Sequence, residues 1–153
     1  KSHILRIVRE ILSFEPQGNK TNIKGALEYF NHSIKKKTIA FLISDFIDKD
    51  YDNILKIISK KHDLISIILE DPRELNLLEA GLIKFRDSET EEIRYLDTSS
   101  KKVQEHFKNK MKARKEFQNN LFLKSRVDTI PINISTSYVK PLIDFFKLRE
   151  KRW

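Results

Sequence analysis

An unbroken apolar run, Ile39 to Ile43, constrains the fold of this chain more than any other feature, and Ser44 and Asp45 follow it directly. A strand that is apolar at consecutive positions is predicted to be buried on both faces, as in a parallel sheet between two layers of helices. Sheets of this kind bind ligands beyond the carboxyl ends of their strands. Asp45 therefore stands where a functional carboxylate is expected.

A second apolar run, Leu64 to Leu69, also ends in carboxylates, Glu70 and Asp71. The acidic loop from Asp48 to Asp52 is expected to cap the helix that lies between the two strands. Because helices and strands alternate, the two strands should be parallel and joined by a right-handed crossover. Apolar residues at helical spacing predict the helices over about residues 3–13, 21–34 and 52–62.

The next part of the chain predicts an antiparallel hairpin and then a long helix. The hairpin strands are Leu82–Phe85 and Glu92–Leu96, joined by a polar turn at 87–90. The side chains of Asp97-Thr98-Ser99-Ser100 should cap the long helix. Its apolar stripe is expected to comprise Val103, Phe107, Met111, Phe117 and Leu121.

The chain is predicted to close with an edge strand and a terminal helix. Pro131 within the run 127–134 favours an edge position, because proline cannot donate to a sheet. The helix is expected from Thr136 to about Arg149, with five side chains to bury: Leu142, Ile143, Phe145, Phe146 and Leu148. The predicted fold class is therefore α/β, with three α-β-α layers, a mostly parallel sheet and an inserted hairpin in a single domain.

Composition excludes several classes of site. The chain has no cysteine, which rules out disulfides, thiol nucleophiles and zinc-thiolate sites. Its three glycines form neither a phosphate-binding loop nor a dinucleotide fingerprint, and its four histidines lack ligand spacing. Apolar runs are too short to span a membrane, so we expect a cytoplasmic protein, with any membrane anchor upstream in the parent chain. The missing initiator methionine leads us to expect a fragment.

Positive charge is concentrated in the long helix. The net charge is +8, and residues 98–126 carry nine basic residues against two acidic ones. Nucleic acid or another anionic partner could bind there, through Lys108, Lys112, Arg114 and Lys115. The alternative is a solvated helix. Aromatic residues on the apolar stripe, rather than among the lysines, argue against a base-stacking platform.

Asp45 has two interpretations. With the hydroxyls of Ser44 and Thr21, it could bind a divalent cation. Alternatively, it caps the following turn through the backbone amide of Ile47 or Asp48. A metal-dependent phosphoesterase using Asp45, Asp48 and Asp71 is the enzymatic alternative.

Several motifs together resemble a known family. The segment from Gly18 to Ile23, an amphipathic helix and the strand ending in Asp45-Phe46 are similar to the von Willebrand factor A-like fold. More narrowly, the chain resembles the bacterial family called domain of unknown function 58. That resemblance rests on His62-Asp63-Leu64-Ile65, Asp71-Pro72-Arg73-Glu74-Leu75, Gly81-Leu82 and Asp97-Thr98-Ser99-Ser100.

The resemblance implies a Mg²⁺ site of the metal-ion-dependent adhesion type at the carboxyl edge of the sheet. Thr21 matches the threonine of the second loop, and Asp45 matches the aspartate of the third. The Asp-x-Ser-x-Ser motif of the first loop is absent, so the resemblance implies a chain that lacks its first strand and hairpin. The site of Thr21, Ser44 and Asp45 is then incomplete and should hold Mg²⁺ weakly. Strand 38–44 would have an open edge that favours self-association.

The function that the resemblance implies is a non-enzymatic protein-interaction module. Its expected partner is a MoxR-type AAA+ ATPase, in a chaperone-like or metal-insertion assembly. No binding of nucleic acid is expected in that case. The metal would leave a coordination position open for a carboxylate of the partner, so that Asp45 and Thr21 help to form a switchable contact.

Overall fold

Helices and strands alternate along the chain, as the sequence predicts. The computed structural model describes residues 2–15, 21–74, 77–86 and 92–151. The described helices are α1 (Ser2–Ser13), α2 (Ile23–Ser33), α3 (Asp52–Lys61), α4 (Lys101–Ser125) and α5 (Val139–Glu150). The described strands are β1 (Ile39–Ser44), β2 (Asp63–Glu70), β3 (Leu82–Arg86), β4 (Ile93–Asp97) and β5 (Asp128–Asn133). A short 3₁₀ helix, Pro72–Glu74, follows β2.

The main sheet has three parallel strands in the order β1-β2-β5. Ile39 lies opposite Asp63, and Ile65 lies opposite Asp128. Since the strands are parallel, their carboxyl ends share one edge, which brings the residues after Ser44 close to Glu70. The predictions of a parallel sheet and of an edge position for the strand that contains Pro131 are confirmed.

Helices cover both faces of this sheet, which gives the predicted three layers. On one face α2, α3 and α4 pack against β2, in a core that includes Leu27, Leu55, Ile58 and Phe122. On the other face α5 packs against β2 and β5, with Leu142 and Phe145 over four isoleucines: Ile65, Ile67, Ile130 and Ile132. Burial of these side chains provides the main stabilisation of the fold.

The prediction that β1 is buried on both faces is wrong. Only Ala40 and Leu42 pack against the core, whereas the alternate residues Ile39, Phe41 and Ile43 are exposed. Among the described strands β1 pairs with β2 alone, so it lies at the edge of the sheet. Helix α5 is centred on the opposite half of the sheet and leaves the outer face of β1 largely uncovered. The open edge expected for strand 38–44 is therefore present.

The hairpin of β3 and β4 is antiparallel, as predicted, and forms a separate two-stranded sheet. The turn expected at 87–90 lies outside the described residues. Thr98 ties the base of the hairpin together, because its hydroxyl donates to the carbonyl of Gly81 at 2.7 Å and accepts from the amide of Ala80 at 2.9 Å. Thr98 is fully buried, so this link is shielded from water.

Several helix ends differ from the prediction. Ser100 is the N-cap of α4, but its side chain makes no cap bond to the helix. The side chains of Asp97 and Thr98 bond Ser99 and the hairpin rather than the helix. The N-cap of α3 is Tyr51, whose side chain makes no cap bond to the helix, whereas the sequence predicts a cap from the acidic loop. Helix α5 begins at Val139, three residues later than expected.

Some side chains predicted to be buried are exposed. Phe117 is 58% exposed, and Ile143, Phe146 and Leu148 of α5 are about half exposed. Phe117 lies ten residues after Phe107 and six residues after Met111. At about 3.6 residues per turn, it does not lie on the helical face that those two residues share. The amphipathic helix α1 also leaves its apolar residues exposed. None of the described helices combines the length and apolar character required to cross a membrane.

Candidate functional site

A polar crevice of about 40 Å³ opens at the carboxyl edge of the main sheet. Asp45 enters it directly after β1, Glu70 is the last residue of β2, and Asp71 follows that strand. Helix α4 closes the crevice, through Met111, Arg114, Lys115 and Gln118. Three carboxylates at the carboxyl ends of two parallel strands thus face cationic and amide side chains of one helix.

Asp45 caps the turn that follows β1. Its Oδ1 accepts a hydrogen bond from the amide of Ile47 at 3.1 Å and one from the Ser44 hydroxyl at 3.4 Å. The Ser44 oxygen in turn accepts from the amide of Phe46 at 3.0 Å. Of the two interpretations of Asp45, the structure therefore supports the turn cap, and Ser44 takes part in the same turn.

Phe46 explains why this turn has its shape. The residue has a left-handed backbone, with φ of 58°, which is uncommon for a bulky side chain. Its ring is 4% exposed and packs edge-to-face on Phe122, with 5.0 Å between the ring centroids. Burial of an aromatic ring offsets the cost of the conformation and fixes the position of Asp45.

The loop after β1 is also tied to the beginning of α2. Asp48 Oδ2 accepts a hydrogen bond from the amide of Ile23 at 2.7 Å, while Asn22 accepts from the amide of Gly25. Asp48 therefore supports the first turn of α2, although the sequence predicts that it serves α3. Thr21 lies exposed just before this helix. The bond holds the segment that follows Thr21 against the loop that begins at Asp45.

The three aspartates of the phosphoesterase hypothesis do not all come together. Ser44, Asp45 and Asp71 line a cavity of about 380 Å³ with Leu69 and Ile134. Asp48 bonds the amides of Ile23 and Lys49 through its two oxygens, at 2.7 Å each, and does not line that cavity. Within the described ranges, no three histidine or acidic side chains are grouped so that they could hold a metal ion.

Cations accompany the two carboxylates at the carboxyl end of β2. Glu70 pairs with Lys115 at 3.0 Å. The amide of Arg73 donates to the carboxyl of Asp71 at 2.9 Å and lowers the pKa of that group, and the guanidinium at 3.3 Å lowers it further. Both side chains thus take part in local ion pairs at the mouth of the crevice.

An apolar groove of about 550 Å³ adjoins the crevice. One wall is a helical face of α4, on which Phe107, Met111 and Arg114 recur at i, i+4 and i+7. The hairpin and the segment before it form the other wall, and Ile47 and Arg73 complete the lining. The second wall consists of Leu77, Leu78, Ala80, Ile83 and Phe85. Met111 and Arg114 line both spaces, so groove and crevice are continuous.

The four basic residues predicted as an anion-binding surface do not form one patch. Lys108, Lys112 and Lys115 share one face of α4, where Lys112 lies 3.9 Å from Glu116 and Lys115 pairs with Glu70. Arg114 lies instead on the face that lines the groove. The positive charge of α4 is therefore divided between a solvated face and the candidate site.

Sequence reasoning missed the part of α4 that forms the site. It continued the apolar stripe through Phe117, whereas Arg114 and Gln118 occupy the stripe between Met111 and Leu121. The missed signal is a pair of polar residues at the i+3 and i+7 positions after Met111. Such a break in an otherwise apolar helical face is expected at a functional site.

Comparison with known proteins yields one match. The family model described as "Protein of unknown function DUF58" matches residues 1–117. This segment contains β1 to β4 and most of α4, including Asp45, Asp71 and Arg114. No curated protein and no solved structure matches the chain.

Proposed function

The chain belongs to the DUF58 family of proteins of unknown function, and on that premise we propose that it is a non-enzymatic protein-interaction module. One observation carries the proposal, namely that a large apolar groove opens directly beside the polar crevice at the sheet edge. A concave apolar surface with a few polar groups is the usual form of a recognition site.

The hydrogen bonds of the carboxylates favour recognition over catalysis. A catalytic base or nucleophile needs an oxygen directed at the substrate. Asp45 and Asp48 accept hydrogen bonds from backbone amides. Glu70 and Asp71 form ion pairs with Lys115 and Arg73. The shared cavity of Asp45 and Asp71 keeps a metal-dependent phosphoesterase as the second candidate. Hydrolysis of a phosphate ester that requires Mg²⁺ or Mn²⁺ and is abolished by Asp45→Ala would favour that candidate.

We propose a MoxR-type AAA+ ATPase as the partner, within a chaperone-like assembly, on the basis of family resemblance alone. Mg²⁺ prefers six oxygen ligands in octahedral geometry. Thr21, Ser44 and Asp45 offer two hydroxyls and one carboxylate, and Asp45 Oδ1 already accepts two hydrogen bonds. This donor set does not fit a tight Mg²⁺ site, so we regard it as an incomplete one.

The proposal is tested by measuring binding of the chain to the MoxR-type ATPase of the same organism, with and without ATP. Asp45→Asn removes the charge but keeps an oxygen that can accept from Ile47, so the turn should persist. We expect it to weaken binding by about tenfold or more. Asp144→Asn, an exposed change on α5, is the matched control and should bind normally. Lack of binding by the wild-type chain would contradict the proposed partner.

A further inference from the structure

We propose that the apolar groove binds a protein segment that combines large apolar side chains with a carboxylate. This inference rests on the proposed interaction function and specifies the chemistry of the partner. The groove has the volume of a ligand site, about 550 Å³, and its walls are leucine, isoleucine, phenylalanine and methionine side chains. Burial of apolar side chains of the partner is therefore its main contribution to binding.

The charge of the groove specifies which polar group the bound segment carries. Among the described residues, the lining includes two guanidinium groups, Arg73 and Arg114, and no acidic side chain. A guanidinium has five N–H donors. A single carboxylate accepts only some of them, as Asp71 does from Arg73. Arg114 also lines the crevice, but there Lys115 is paired with Glu70 and the carboxylates of Asp45 and Asp71 add negative charge. The positive charge that can meet a carboxylate of the occupant therefore lies in the groove. An apolar segment that bears an aspartate or glutamate complements this arrangement.

The same features disfavour a nucleic acid. Phosphate contacts require cations spread along a groove, and single-stranded bases require exposed aromatic faces. Aliphatic side chains predominate in the lining, and the lysines Lys108 and Lys112 lie on another face of α4. An amphipathic helix or an extended segment of a protein fits the groove better.

Site-specific photocrosslinking on the full chain tests the inference. One variant carries p-benzoylphenylalanine in place of Phe85 in the groove, and the matched control carries it in place of Phe41 on the outer face of β1. The two phenylalanines are 43% and 49% exposed, so access to the crosslinker is similar. The first probe is a displayed library of random short peptides, and the second is the MoxR-type ATPase.

We expect retained peptides to combine large apolar residues with aspartate or glutamate, and to crosslink at position 85 but not at 41. Arg114→Gln should weaken their binding by about tenfold or more, whereas Lys108→Gln removes the same charge outside the groove and should not. Leu78→Glu places a repelling charge on a residue that is 72% exposed, so it tests the groove without risk to the core. Leu123→Glu, at a position 77% exposed, is its control.

Three results would overturn the inference: no peptide is retained, the peptides lack carboxylates, or crosslinks form at position 41 only. The ATPase separates this inference from the proposed function. If the ATPase binds, tolerates Arg114→Gln and crosslinks only at position 41, the interaction function stands and the groove is excluded. If acidic apolar peptides occupy the groove but the ATPase does not bind, the groove stands and the proposed partner is wrong.

Discussion

Asp45 illustrates at the scale of single residues how a carboxylate after a parallel strand can have a structural role. Its Oδ1 holds the amide of Ile47 and the hydroxyl of Ser44, so this oxygen is committed to the turn. A metal ion bound to this oxygen would compete with those two hydrogen-bond donors. Position at the carboxyl edge of a sheet therefore identifies the candidate site but does not determine what its residues do.

We predict that the chain binds Mg²⁺ only weakly. Thr21, Ser44 and Asp45 provide fewer oxygens than octahedral coordination requires, and water must supply the remainder. Calorimetric titration of the chain with Mg²⁺ should give a dissociation constant well above the micromolar range. An affinity in the micromolar range or tighter that is lost in Asp45→Ala would refute the prediction.

Tyr51 predicts how stability depends on pH. Burial, together with the nearby charges of Asp52 and Asp48, raises the pKa of this phenol to about 12. The pKa in the folded chain lies above that in the unfolded chain, so the stabilisation is complete below about pH 10 and is lost as pH rises towards 12.

The free energy of unfolding should thus fall by about 2 kcal/mol over this interval through Tyr51 alone. Urea unfolding of the wild-type chain and of Tyr51→Phe, measured at several pH values, isolates this contribution because all other groups are shared. Parallel pH profiles for the two proteins would show that Tyr51 does not titrate in this way.

At the scale of elements, the edge strand β1 presents an apolar outer face. Ile39, Phe41 and Ile43 are exposed on the same side as Phe146 of α5, whose ring lies 6.4 Å from that of Phe41. Unpaired backbone groups along such a strand can pair with a strand of another chain.

We therefore expect the chain to self-associate through β1. Light scattering should detect dimers or larger species at high concentration. Ile43→Lys should shift the population towards monomer, whereas Leu123→Lys, at an exposed position of α4, should not. A wild-type chain that stays monomeric at high concentration would argue against this interface.

Patterns within an element could be read from the sequence more readily than contacts between elements. The apolar run of β2 and the spacing in α2 predict their types correctly, because both depend on local periodicity. The burial of β1 could not be predicted in this way. An apolar run indicates what a strand is able to bury, whereas the number of neighbours it has depends on the whole sheet.

At the scale of the whole molecule, the sequence predicts the α/β layers and the sheet edge that holds the candidate site. It does not predict the groove, which depends on where the hairpin packs relative to α4. Thr98 mediates part of that placement through bonds to Gly81 and Ala80, but its sequence context suggested a helix cap instead. A hydroxyl next to a helix start fits both roles, and only tertiary contacts distinguish them.

The bond between Asp48 and the amide of Ile23 also affects how a partner would meet this molecule. The carboxylate of Asp48 lies at the positive end of the α2 dipole, and the same loop carries Asp45. Displacing the loop would expose that end of the helix and leave an amide without its acceptor. A partner thus encounters a surface that is already ordered, and little of its binding energy is consumed in arranging the loop.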